Sequence, residues 1–151
     1  AGVDYSSHFN NMPYQLYTEW AHTRTNGDVR GISYNHSVYT DGYYQHGYPL
    51  AHAMGGDGEM ISVGGDIRFD PMNRLSGRVL FAKVNQSERL ANGAFPEKDE
   101  IKALDLTWSH YLKPEIPLKI NGWFSDSDIN GNDGGASIGI EFPLDKTLFS
   151  Y

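Results

Sequence analysis

Residues 60–69 read Met-Ile-Ser-Val-Gly-Gly-Asp-Ile-Arg-Phe, directly after the polar and aromatic segment Asp-Gly-Tyr-Tyr-Gln-His-Gly-Tyr-Pro-Leu-Ala-His-Ala-Met-Gly-Gly-Asp-Gly-Glu of residues 41–59. Side chains alternate in residues 60–69: Ile61, Val63, Ile67 and Phe69 fall on one side, and Ser62, Asp66 and Arg68 on the other. A period of two predicts a β-strand with one apolar and one polar face. The character of this strand, and of others like it, decides the fold class.

The same alternation recurs along the chain. We predict further strands at about 13–23, 29–39, 75–84, 102–111, 118–125 and 136–142. Strands of about ten residues exceed the usual length of about five or six, but they match the length of a tilted strand that crosses a bilayer. An antiparallel water-soluble sandwich also alternates and is the competing interpretation.

The connections between these strands alternate between short and long. Compact turns fall at 24–28, 70–74 and 113–117, and longer polar stretches fall at 41–59, 86–100 and 127–134. Short periplasmic turns and long external loops are typical of outer-membrane barrels. We therefore predict an all-β fold, an antiparallel transmembrane β-barrel of which about seven strands are present, with the long stretches outside the cell.

Composition excludes some classes of protein. The chain has 151 residues, no cysteine and a formal net charge of −7, so it would repel nucleic acid and offers no disulfide framework. The mean hydropathy is −0.52, which argues against a transmembrane helix. It does not argue against barrel strands, because every second residue of such a strand is polar.

The predicted organisation is an irregular N-terminal segment at 1–12, barrel wall at 13–143 and a tail at 144–151. An open sheet in lipid would expose unpaired backbone groups at both edges. We therefore expect a partial barrel that strands of a longer protein complete. The alternative is a complete barrel of about eight strands, which would need a strand in residues 1–12, where Asn10 and Asn11 interrupt the alternation.

Four stretches resemble the Wzi capsule assembly family: residues 42–60, Arg-Val-Leu-Phe-Ala-Lys-Val-Asn at 78–85, Ala-Phe-Pro at 94–96 and Gly-Ala-Ser-Ile-Gly-Ile-Glu-Phe-Pro at 135–143. Members of that family are outer-membrane β-barrels. They are much longer and carry a periplasmic helical bundle, so this chain would correspond to the C-terminal third. The resemblance implies a lectin-like protein without enzymatic activity, located in the bacterial outer membrane and in contact with its lipid, that holds group 1 capsular polysaccharide at the cell surface.

Sugar sites combine aromatic faces with planar hydrogen-bonding groups. The candidates in the segment 41–59 are Tyr43, Tyr44, His46, Tyr48, His52 and Asp57. These tyrosines would equally suit the aromatic girdle of a barrel. Arg68 and Arg78 are candidate cations for an acidic polymer, and their alternative role is to neutralise carboxylates such as Asp66 or Glu19 inside the barrel.

Other motifs in the sequence are weaker indications of a functional site. Asp-Ser-Asp-Ile-Asn-Gly at 126–131 copies the first half of a calcium loop, but Ser137 occupies the twelfth position, where a glutamate is needed. We predict a solvated turn and leave calcium at 126–130 open. The histidines lack metal-ligand spacing, so we expect no metal and no cofactor. Ser109 and His110 are neighbours whose side chains should point to opposite faces, which disfavours a hydrolase; a passive channel is the other functional alternative.

Overall fold

The computed structural model describes residues 1–25, 34, 44–46, 48–87 and 94–142. The described residues contain nine strands. These are β1 (Gly2–Phe9), β2 (Met12–His22), β3 (Tyr44–Gln45), β4 (Tyr48–Pro49), β5 (Glu59–Asp70), β6 (Asn73–Val84), β7 (Asp99–Lys113), β8 (Ile116–Ser127) and β9 (Gly131–Ile140). Within these ranges, no helix is long and apolar enough to cross a membrane.

Seven strands form a single antiparallel sheet in the order β1-β2-β5-β6-β7-β8-β9, and β3 and β4 form a small separate ribbon. This confirms the prediction of an all-β antiparallel fold. The sheet is open: β1 and β9 are its edges, and no pairing among the described residues joins them.

Successive connections lie at opposite ends of the sheet. Residues 10–11, 71–72 and 114–115 lie at one end, which we call the short-turn end. At the other end, the long-loop end, β2, β6 and β8 finish and β5, β7 and β9 begin. Each of the three stretches predicted to share one side of a membrane therefore includes the start of a strand at this end of the sheet.

The prediction that residues 1–12 are irregular is wrong, because Gly2–Phe9 is the strand β1 and pairs with β2 from Gly2↔Glu19 to Phe9↔Met12. Asn10 and Asn11 do not interrupt a strand; they form the turn between two strands. Their φ angles are 48° and 64°, the left-handed conformation that asparagine tolerates and that a tight hairpin turn needs.

The prediction that a compact turn at 24–28 joins two neighbouring strands is also wrong, because β2 pairs with β1 and β5. Apart from Tyr34, residues 29–39 lie outside the described residues, but both sides of β2 are occupied, by β1 and by β5. A local turn signal at Asn26 and Gly27 says nothing about which distant strand pairs with β2. β2 and β5 are therefore neighbours in the sheet, and β2 ends and β5 begins at the long-loop end.

The predicted loop at 127–134 is mostly strand, since only residues 128–130 separate β8 from β9. The next residue, Gly135, lies in β9 and allows close packing in the sheet. A Cβ atom on Gly135 would lie 2.9 Å from Nε1 of Trp123, its partner on β8. Glycine leaves room for the indole to lie over the neighbouring strand.

The exposure of the two faces of the sheet distinguishes a barrel wall from a water-soluble sandwich. On β5, Ile61 and Val63 are 44% and 45% exposed, whereas Ser62 on the opposite face is 3% exposed. The apolar face continues across the sheet in matched rows, such as Thr18↔Val63↔Val79↔Leu104↔Phe124. A sandwich would bury this face against a second sheet; here it is the outside of a single layer, as in a barrel wall that faces lipid.

Candidate functional site

The segment that carries most candidate residues is held together by two tyrosine hydroxyls. The Tyr34 hydroxyl accepts the backbone N–H of His52 at 2.7 Å, and the Tyr44 hydroxyl accepts that of Gly56 at 3.0 Å. The two rings lie 5.7 Å apart at 47°. Tyr34 is buried, so the pair acts as an internal support on which the chain from His52 to Gly56 rests.

The ribbon of β3 and β4 presents other side chains to solvent. Tyr44 pairs with Pro49 and Gln45 with Tyr48, and His46 lies between the two strands with a φ of 51°. His46 is exposed, and Tyr48 is 77% exposed. The ribbon therefore turns one aromatic ring inward and another outward.

Asp57 ties this segment to the next loop. It is buried, with a φ of 60°. Its Oδ2 accepts the Ser87 N–H at 2.6 Å, and its carbonyl oxygen accepts the Gln86 N–H at 3.4 Å. Its Oδ1 lies 3.5 Å from Nε of Arg24, whose Nη1 lies 3.6 Å from Oε2 of Glu59. One carboxylate thus joins the β2–β5 connection to the β6–β7 connection.

Asp99 joins the β6–β7 connection to the β8–β9 connection. It is buried, and its carboxylate accepts the Ser127 hydroxyl at 2.7 Å and the Asp128 N–H at 3.0 Å. The Gln86 side-chain amide donates to the Asp99 carbonyl at 3.3 Å. Asn85, buried with a φ of 48°, donates to the carbonyls of Phe95 and Pro96 at 3.1 Å. All three connections at the long-loop end therefore belong to one polar network.

The network occupies the turn where a calcium motif begins. The Asp128 N–H is bonded to Asp99, and the Asn130 N–H to the Ser127 hydroxyl at 3.0 Å. Asp126 points to the apolar side, where its Oδ2 lies 3.8 Å from Nζ of Lys102. In the described part of the chain, no group of three or more histidine, aspartate or glutamate side chains is arranged to hold a metal ion.

The predicted site residues separate into three groups. Tyr43 lies outside the described residues. Tyr44, His52 and Asp57 bond within the loops, His52 through a 3.3 Å contact from the Met54 N–H to its Nδ1. His46 and Tyr48 point outward. Sequence reasoning missed Asp99 and Asn85, and only Asn85, at the end of an alternating run, carried a signal: asparagine tolerates the left-handed conformation found there.

The two arginines lie elsewhere, on the polar face of the sheet. Arg78 is exposed in the middle of β6, across from Gly64 and Asp105. Arg68 is exposed near the short-turn end, across from Arg74. The carboxylate of Asp66 is bonded at 2.9 Å by Nε of Arg74, a residue that the sequence did not single out. The loop tyrosines and these arginines therefore do not form one cluster.

Aromatic residues border the apolar face at both ends. Trp20 stacks on His22 near the long-loop end, with ring centroids 5.7 Å apart, and Trp108 lies 5.8 Å from His110 near the short-turn end. Aromatic girdles of this kind mark the two membrane interfaces of a barrel. They are carried by strands, whereas the loop tyrosines lie beyond the girdle. An exposed apolar band between aromatic borders, a polar opposite face and long connections at one end together define the wall of a transmembrane β-barrel.

Comparison with known proteins gives the family. The sequence model of the capsule assembly protein Wzi matches residues 1–137, and the chain belongs to the Wzi capsule assembly family. The resemblance seen in the sequence is thereby confirmed, and so is the predicted outer-membrane location.

Two relatives show how much of such a protein is present. An uncharacterized 55.8 kDa protein in the cps region of Klebsiella pneumoniae is 40% identical over 97 residues, which make up 64% of this chain and 19% of that protein. A solved structure superimposes with a TM-score of 0.79 at 36% identity over 95% of this chain and 33% of the other. It is Wzi of Escherichia coli, an outer-membrane protein involved in group 1 capsule assembly and a carbohydrate-binding β-barrel. The chain spans about a fifth and a third of these two proteins.

Proposed function

We propose that this chain forms part of a lectin-like outer-membrane barrel that attaches capsular polysaccharide to the bacterial surface. The proposal rests on the ordered surface at the long-loop end, which we call the platform. There Asp57 and Asp99 hold three connections together, and the β3–β4 ribbon presents Tyr48 outward. The E. coli relative is a carbohydrate-binding barrel involved in capsule assembly, which supports the same role here.

Bracing matters because a binding surface that is already ordered loses less conformational freedom when a ligand arrives. The internal bonds of Tyr44, His52 and Asp57 suggest that these three residues contribute by holding the platform. The outward-facing His46 and Tyr48, with Tyr43 beside them in sequence, are then the residues that would contact sugar. Tyrosine suits this task, because its ring stacks on the C–H face of a pyranose and its hydroxyl bonds to sugar hydroxyls.

For an acidic polymer, Arg78 and Arg68 remain the proposed cations. Both are exposed on the polar face of the sheet, at a distance from the ribbon, so they would meet polymer that enters the barrel. The proposed role is binding without catalysis. Ser109 is buried on the polar face, while His110 contacts Trp108 on the apolar face, so this pair is not arranged for nucleophilic attack.

We also propose that strands outside this chain complete the barrel. The edges β1 and β9 would otherwise leave backbone N–H and C=O groups unpaired in lipid. The 33% coverage of the E. coli structure supports this view.

The decisive experiment compares Tyr48→Ala with Tyr48→Phe in the protein produced in its outer membrane. Alanine removes the ring and should lower the capsule retained per folded barrel several-fold, since each aromatic contact contributes on the order of 1 kcal/mol and the polymer binds repeatedly. Phenylalanine keeps the ring and should retain most capsule. Heat-modifiability on gels reports the amount of folded barrel. Normal retention by the alanine variant would contradict the proposal for Tyr48.

A further inference from the structure

A groove lies on the apolar face close to the long-loop end, on the side opposite the polar face. Its volume is about 430 Å³. Trp20, Ile61 and Phe81 lie side by side on β2, β5 and β6 and form its floor. Its rim is charged and consists of Glu59, Lys83, Glu100 and Lys102.

The groove straddles the boundary between hydrocarbon and lipid headgroups. The row below its floor is apolar, with Val63 and Val79, and the row above is charged, with Glu59, Lys83 and Glu100 side by side. Because long loops are external in such barrels, this boundary belongs to the outer leaflet. Only a lipid or another membrane protein reaches that surface.

The rim offers two ammonium groups to an incoming anion. Lys83 lies 3.0 Å from Glu100 and Lys102 lies 3.8 Å from Asp126, and the side chains of the two lysines are 54% and 59% exposed. Ion pairs this exposed are weak. Lys83 and Lys102 occupy neighbouring strands in diagonal positions of the pairing, which long side chains bridge easily. A single phosphate is therefore within reach of both.

The remaining carboxylate of the rim already has its own partners. Glu59 accepts the indole N–H of Trp20 at 3.2 Å and faces Arg24 at 3.6 Å. These contacts compensate its charge and fix the Trp20 ring against the groove. The carboxylate therefore does not oppose an anion at the lysines as strongly as an unpaired one would.

We propose that this groove binds a phosphorylated lipid of the outer leaflet. An acyl chain lies on Trp20, Ile61 and Phe81, and a headgroup phosphate lies between Lys83 and Lys102, displacing Glu100 and Asp126 as their partners. The assignment rests on the position of the groove and on its charges, and it is independent of polysaccharide binding.

Native mass spectrometry of the detergent-purified protein tests the proposal. The probe is a diphosphorylated lipid A, and the same lipid with its phosphates removed is the comparison. We expect one lipid to stay bound per barrel, with the dephosphorylated lipid binding at least about tenfold more weakly. In Lys83→Gln and Lys102→Gln the affinity should fall about fivefold each, the contribution of one lysine near an anionic lipid surface.

The matched control is Lys119→Gln, which removes a lysine that pairs with Glu141 away from the groove, on the polar face. It should leave lipid binding unchanged. Equal binding of the two lipids, or equal loss in all three variants, would show ordinary annular lipid and overturn the proposal. A protein dimer whose interface is lost in Phe81→Ser would overturn it in favour of a second copy on this face.

Discussion

Asp57 should be the residue on which the order of the loops depends most, and substitutions at this position separate its contacts from its backbone strain. A hydrogen bond to a charged acceptor contributes about 1.5–3 kcal/mol. The pair with the partly exposed Arg24 adds at most about 1 kcal/mol. A residue with a Cβ pays about 1–2 kcal/mol for the left-handed conformation, which Asp57 adopts at a φ of 60°.

These free-energy contributions predict the effects of three substitutions at Asp57. Asp57→Ala loses both contacts and keeps the strain that Asp57 already carries, so loop opening should become easier by about 1.5–4 kcal/mol. Asp57→Gly loses the contacts without the strain and should lie about 1–2 kcal/mol below alanine. Asp57→Asn keeps an acceptor for the Ser87 N–H and tolerates the conformation, so its loss should be about 1 kcal/mol.

Hydrogen exchange measures this opening in the folded barrel. Since 1.36 kcal/mol corresponds to a factor of ten, the amides of Gln86 and Ser87 should exchange about 10- to 1,000-fold faster in Asp57→Ala. The control is Asp133→Ala, which removes an exposed carboxylate that accepts the N–H of its neighbour Gly134. If the Gln86 and Ser87 amides exchange at the same rate in Asp57→Ala as in the unchanged protein, Asp57 does not brace the two connections.

Further predictions concern topology, packing and assembly. A cysteine at Asn130, at the long-loop end, should react with an impermeant maleimide on intact cells, and one at Asn11, in a short turn, should not; the reverse labelling would invert the orientation. Gly64→Ala should destabilise the barrel by about 1–3 kcal/mol, because a Cβ there would lie 2.5 Å from the Tyr17 ring. Gly139→Ala should shift the heat-modifiability transition far less, because among the described residues no atom lies within 4 Å of an added Cβ. Residues 1–151 produced alone should aggregate or stay protease-sensitive in detergent, and a monodisperse heat-modifiable species would show that no additional strands are needed.

The sequence predicted the strands well wherever polar and apolar residues alternate without interruption. β5 and β7 carry such runs, and their faces are as predicted. The errors fall at residue types that occur in more than one kind of local structure. Asn10 and Asn11 were interpreted as breaking a strand, whereas they are the turn that joins two strands. Gly134 was assigned to a loop, whereas it lies in β9 and leaves space for Phe124, its partner on β8.

The candidate site was less predictable, because composition gives the side chains of a loop but not their directions. Tyr44 and Tyr48 look equivalent in the sequence, yet one hydroxyl supports the Gly56 N–H and the other ring is exposed. Asp99 begins a strand and shows no pattern of its own. Its role depends on Ser127 and Asp128, which pairing of β7 with β8 brings close.

The alternation of faces also affects how such a chain reaches its membrane. A protein destined for the outer membrane first passes through the inner one, where an apolar run of about 18 residues would be retained as a helix. In β5, Ser62 follows Ile61, Gly64 follows Val63 and Arg68 follows Ile67, so this strand presents an apolar surface only when it is extended and paired. The lipid-facing surface comes into existence only with the sheet itself. Secretion and membrane insertion are thereby compatible in one sequence.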